Sequence, residues 1–153
     1  MDENIDGFQA IIDEYRVTNK AGTPGVQKEI GTIINKGIQI SQEFSKKGIK
    51  QHIICLILTD GQFVSDDEAI RAISEASKYP ISFCFLGIGD GDFDLLKKLD
   101  TLKEGRLFDN VHFSNFTEMV SNTTDEGKDM KFLTDVFSEI AIQHHIMKKL
   151  GYI

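Results

Sequence analysis

Apolar residues along this chain recur in two rhythms, one of helices and one of buried strands. Ile5, Phe8, Ile12 and Tyr15 share one helical face, which predicts a helix from Asn4 to Arg16 with Asp2 or Asn4 as its cap. Val17 to Gly25 reads as a turn-rich link holding Gly22-Thr23-Pro24-Gly25, where Thr23 suits an N-cap before a first-turn proline. A second helix is expected from about Val26 to Lys46, with Ile30, Ile33, Ile34, Ile38 and Phe44 inward. Gly31 and Gly37 weaken it and suit close approach to a sheet.

Ile53 to Leu58 is a continuous apolar run ending in Thr59-Asp60-Gly61, and Ile81 to Ile88 repeats the pattern before Gly89-Asp90-Gly91-Asp92. Runs without alternation predict strands buried on both faces. Between them Ser65-Asp66-Asp67-Glu68 is a capping box that opens a helix with Ala69, Ile70, Ile73 and Ala76 inward. Strand, helix and strand of this length make a βαβ unit with parallel strands and a right-handed crossover. A shorter helix over Asp94 to Leu102 and a short strand at Val111-His112-Phe113 follow. Ser121 to Lys131 is polar and reads as a loop. The last helix is expected over Phe132 to Leu150, with Phe132, Leu133, Val136, Phe137, Ile140, Met147 and Leu150 inward and Gly151 as its C-cap. The order α-α-β-α-β-α-β-α is that of the second half of a doubly wound α/β fold, a short parallel sheet flanked by helices.

The 153 residues make one domain, and the formal net charge of −7 argues against a nucleic-acid partner. Two basic clusters stand out, Lys46-Lys47-Gly48-Ile49-Lys50 and Lys148-Lys149. Lysines at helix ends favour the dipole, so these read first as a solvated turn and a helix terminus. Cys55 and Cys84 sit inside the strand runs as free, buried thiols, which fits a reducing compartment. With no secretory pattern and no apolar run of membrane-spanning length, the expected location is intracellular and cytoplasmic. The histidines (His52, His112, His144, His145) are scattered, and His144 and His145 point to different faces of one helix. Phosphate loop, G-x-G-x-x-G and G-x-S-x-G are all missing, which disfavours a nucleotide-binding domain and a hydrolase.

Leu56-Ile57-Leu58-Thr59-Asp60-Gly61 resembles the central strand of von Willebrand factor A domains, especially those of copines. Ile5-Asp6-Gly7-Phe8 with Tyr15-Arg16, Ala21-Gly22-Thr23-Pro24 with Ile33-Ile34, and Pro80-Ile81-Ser82 with Gly87-Ile88-Gly89-Asp90-Gly91 and Phe93-Asp94 are similar to copine segments in the same order. Phe108 to Glu118, with Glu139-Ile140 and Gln143, looks most like the copine domain of plant RING-domain ubiquitin ligases, although Ala141 stands where a proline is usual. The resemblance covers nearly all of residues 1–153 and implies an α/β interaction module, linked in full-length relatives to calcium and membrane signalling or to ubiquitination. It also implies a cation site whose Asp-x-Ser-x-Ser strand is absent here, so the chain is expected to be the C-terminal half of the domain. By position Asp60 matches the aspartate of that site and Thr23 best matches its threonine, with Thr32 and Thr18 weaker candidates and Asp90 and Asp92 adding acidity.

One carboxylate and one hydroxyl do not cage a hard cation. The expectation is therefore Mg²⁺ or Ca²⁺ in a complete domain and none in this chain, with Asp60 serving the turn after its strand. A non-catalytic module is expected, with a protein partner at the carboxyl edge of the strands and no direct membrane binding. Self-association through the open edge of residues 53–58 is expected too, because an unpaired apolar strand invites pairing. The alternative is a fragment or subunit of a RING-type ubiquitin ligase whose RING lies elsewhere, since two cysteines cannot furnish one.

Overall fold

A computed structural model describes residues 7–21, 29–61, 63, 66–121 and 123–153. The element order is α1 (Phe8–Ala21), α2 (Ile30–Lys46), β1 (Ile53–Thr59), α3 (Asp66–Ala76), β2 (Ile81–Gly87), α4 (Asp94–Thr101), β3 (Val111–Asn115), α5 (Phe116–Ser121) and α6 (Asp125–Lys149). The three strands form one parallel sheet in the order β1-β2-β3. Ile53 lies opposite Ile81 and Thr59 opposite Gly87, while Phe83 lies opposite Val111 and Gly87 opposite Asn115.

The sheet has two unequal layers against it. On one face α2, α3 and α4 bury Ile34, Ile38, Ile73, Leu96 and Leu99 against Ile81, Phe83 and Phe85. On the other face α6 places Val136 and Ile140 over Cys84 and Leu86. β2 is central and buried along its whole length, as its unbroken apolar run predicts. Gly37 brings α2 onto the sheet, where a Cβ would touch Phe83 and the Cys55 sulfur at 3.3 and 3.4 Å. Gly31 instead faces the Glu68 side chain on α3.

Several sequence expectations are corrected. The strand at 53–58 runs to Thr59 and is not buried on both faces: Ile54, Leu56 and Leu58 are 46, 50 and 62% exposed. The cause is its place at the sheet edge, beyond the reach of α6. Residues 125–131, read as loop, belong to α6, and α5 was unforeseen. The segment Asp125–Lys131 has no apolar stripe to signal a helix, yet its Glu, Lys and Met are good helix formers. Of the inward residues expected on α6, Val136, Ile140 and Met147 are buried, whereas Leu133, Phe137 and Leu150 are exposed. Ile33 of α2 is likewise exposed. α1 is displaced toward the C-terminus, running through the expected link to Ala21, and Tyr15 is exposed rather than inward. Asp2, Asn4, Ile5, Thr23, Val26 and the capping Ser65 lie outside the described residues.

Candidate functional site

Two loops meet beyond the carboxyl ends of the strands, where α/β folds place their ligand sites. Asp60 and Gly61 follow β1, and Gly89 to Asp92 follow β2. The two loops touch through their backbones. A Cβ on Gly91 would overlap the Asp60 carbonyl oxygen, and one on Gly61, which has φ +98°, would overlap that of Asp92. Glycine is therefore required at both positions for the loops to meet. The turn after β1 is closed by Thr59, whose buried Oγ1 accepts the Gly61 N–H at 3.1 Å. Asp92 Oδ1 accepts the Asp94 N–H at 2.9 Å, the turn-and-cap role its sequence predicts.

Asp60 is exposed at this edge, and Thr23 lies outside the described residues. Among the described residues, clusters of three or more His, Cys, Asp or Glu that could hold a metal are absent. A hard cation demands several oxygen ligands, more than the Asp60 carboxylate by itself supplies. Thr32, a weaker candidate, instead donates to the Glu29 carboxylate at 3.2 Å. Thr18 donates to Glu14 on α1 at 3.5 Å.

The more developed feature is β1 itself. Among the described residues its outer backbone edge has no partner strand in the sheet, and no lysine, proline or glycine interrupts Ile53–Thr59. Ile53, Cys55 and Ile57 pack toward the core, while Ile54, Leu56 and Leu58 form an apolar stripe open to solvent. Beside the carboxyl half of the strand lies an open cleft of about 540 Å³, with Ile33, Ile57, Leu58 and Phe63 among its walls. Parallel sheets seldom leave apolar strands in this state, because helices cover both faces.

Two histidine clusters escaped the sequence, which gives no hint of contacts between distant helices and strands. His52 Nδ1 lies 3.2 Å from His144 Nδ1 with the rings stacked, and His52 Nε2 lies 2.7 Å from Ser82 Oγ. Burial, then the neighbouring His144, pushes His52 down to about 4. His112 Nε2 lies 3.2 Å from Asp135 on α6, and its Nδ1 lies 4.0 Å from Asp100 on α4. Asp100 also accepts the Phe113 N–H at 3.2 Å, so this cluster ties β3 to a helix on each face. Both cysteines are free, as expected, and burial pushes the Cys55 thiol up to about 11 and the Cys84 thiol up to about 12. Neither is an activated nucleophile.

The fold defines a parallel α/β domain, a short sheet with helices on both faces and loops gathered at its carboxyl edge. The Copine family matches the chain over residues 1–153, and the chain belongs to that family. It is 30% identical to Copine family protein 2 of Caenorhabditis elegans over 99% of this chain and 2% of that protein. It is 29% identical to the E3 ubiquitin-protein ligase RGLG5 of Arabidopsis thaliana over 98% of this chain and 37% of the ligase. The chain thus spans well under half the length of these relatives. Among solved structures, the manganese-loaded Plasmodium vivax TRAP protein aligns with 74% of this chain and 45% of its own, at TM-score 0.49 and 14% identity. Among the described residues, no helix is long and apolar enough to cross a membrane.

Proposed function

We propose that this chain is a non-catalytic interaction module whose protein partner adds an extended apolar strand along the open edge of β1. The observation that carries this reading is the seven-residue strand with an unpaired edge and Ile54, Leu56 and Leu58 open to solvent. Strand addition supplies main-chain hydrogen bonds for affinity and side-chain pockets for register. The adjoining cleft would receive the added strand's side chains, and the acidic loops at Asp60, Asp90 and Asp92 continue the surface at the carboxyl edge. When no partner is present, a second copy of the chain can take its place. Sedimentation velocity at micromolar concentrations should show self-association, and Leu56→Lys should return a folded monomer. A wild-type chain that stays monomeric and melts cooperatively would refute the reading.

Asp60 and Thr23 enter the proposal as the remnant of a cation site that only a strand carrying Asp-x-Ser-x-Ser would complete. Millimolar Mg²⁺ or Mn²⁺ should leave the melting temperature of the chain unchanged, because a ligand stabilises only what it binds. A clear upward shift that Asp60→Ala abolishes would show instead that the chain holds the ion alone.

The likeness to RGLG5 favours a second reading, in which the chain is the copine part of a RING-type ubiquitin ligase. Paired Cys-x-x-Cys motifs in frame with this coding sequence would support it. Lipid-binding sequence in their place would favour a copine.

A further inference from the structure

At the opposite end of the sheet, below the amino ends of the strands, α2 and α6 finish in the same way. After α2, the Ile49 N–H donates to the Phe44 carbonyl at 2.9 Å and the Gly48 N–H to the Ser45 carbonyl at 3.0 Å. After α6, the Tyr152 N–H donates to Met147 at 3.0 Å and the Gly151 N–H to Lys148 at 3.1 Å. These are two Schellman turns, with Gly48 and Gly151 at φ +72° and +75°. Between them lies a hollow of about 190 Å³ whose walls include Ser41, Ser45, Lys50, Gln51 and Tyr152.

Three features of this hollow point to an anion. First, its walls contain no carboxylate, in a chain with 24 acidic residues. Glu43, between Ser41 and Phe44 on α2, is exposed and is not part of them. Second, Ser41 is 1% exposed, and among the described residues its Oγ has no hydrogen-bond partner. A buried hydroxyl without a partner costs about 1–3 kcal/mol, so a ligand oxygen there would recover a bond the fold leaves unmade. Third, each turn carries a lysine pair, Lys46-Lys47 and Lys148-Lys149, and Lys50 joins them at the wall. Capping does not consume these lysines, because glycine turns already satisfy the terminal carbonyls. A helix C-terminus presents roughly −0.5 charge, which offsets only part of the charge of two lysines. None of the five makes an ion pair among the described residues.

We propose that this hollow binds a phosphate-bearing ligand, with Ser41, Ser45 and Gln51 donating to phosphate oxygens and the five lysines supplying the field. The apolar wall of Phe44, Ile49 and Pro80 would meet the ligand's carbon frame. The site is at the far end of the sheet from the β1 cleft, so it stands or falls independently of the strand-addition reading. The phosphate could belong to a soluble ester or to a lipid headgroup.

The test uses the intact chain. Inositol 1,4,5-trisphosphate is titrated while backbone amide resonances are followed, and phosphatidylcholine vesicles with and without phosphatidylinositol 4,5-bisphosphate form a second arm. Saturable shifts centred on Ser41, Gly48 to Gln51 and Gly151-Tyr152 are expected, or vesicle binding that needs the phosphoinositide. Lys148→Gln/Lys149→Gln, on the exposed helix end, should weaken binding about tenfold. Ser41→Ala should weaken it by a similar factor, about tenfold, without lowering the melting temperature, because it removes an unsatisfied group. Failure of both arms to saturate, shifts centred elsewhere, or unchanged affinity in the two variants would overturn the proposal.

Discussion

At Gly91 a single added carbon would run into the Asp60 carbonyl, so Gly91→Ala forces two loops apart at the carboxyl edge. Overpacking of this kind costs about 1–3 kcal/mol, which thermal unfolding would register as a drop of several degrees. The same variant should disturb the amides of Gly61 and Asp92 while leaving β3 as it is. His52 makes a second residue-scale prediction. Its folded value is about 4, below the ordinary 6.5, so the unfolded chain binds more protons between those limits. Stability must therefore fall as pH drops from 6.5 to about 4, and the loss is complete below that. Asp100, raised by burial, acts in the opposite sense over the acid range, so the informative quantity is a difference. Urea unfolding from pH 7 to 4 should show a shallower loss in His52→Gln than in wild type. The raised thiols of Cys55 and Cys84 should resist iodoacetamide at pH 8 until the protein unfolds.

Among the elements, α6 shows how far periodicity can be trusted. Its buried face comprises Val136, Ile140, Gln143 and Met147, a narrow stripe that lies over β2 and β3. Leu133 and Phe137 look inward on a helical wheel but are exposed. Ile140→Ala should cost about 2–5 kcal/mol and Phe137→Ala far less, a contrast that chemical denaturation would measure. The parallel sheet, the βαβ unit and the last C-cap were all legible in the sequence, because each follows from local pattern or turn chemistry. The amphipathic exposure of β1 was not, since its residues are those of a strand covered on both sides and only the topology removes one cover. The carboxyl-edge loops were visible as Thr-Asp-Gly and Gly-Asp-Gly-Asp, but their backbone contact and the role of Thr59 needed coordinates. His52 and His144 are 92 positions apart, and no spacing rule connects them.

For the whole molecule, one acidic group and one basic group lie at opposite ends of the strands. Asp60, Asp90, Asp92 and Asp94 stand at the carboxyl end, and Lys46, Lys47, Lys50, Lys148 and Lys149 at the other. Raising salt should weaken phosphate-ester binding at the lysine end while leaving strand addition at β1 intact or stronger, because one is Coulombic and the other apolar. Titrating both interactions from about 50 to 500 mM salt would separate them. The uncovered strand also sets a race when the chain refolds from denaturant. Docking α2 and α6 onto the sheet is unimolecular, whereas capture of β1 by another unfolded chain is bimolecular and gains with the square of concentration. Parallel pairing between strands 28 residues apart is slow to nucleate, which lengthens the interval in which capture can win. The recovered native fraction should consequently fall as the starting concentration rises, and an excess of a short apolar peptide that occupies the strand's edge should restore it.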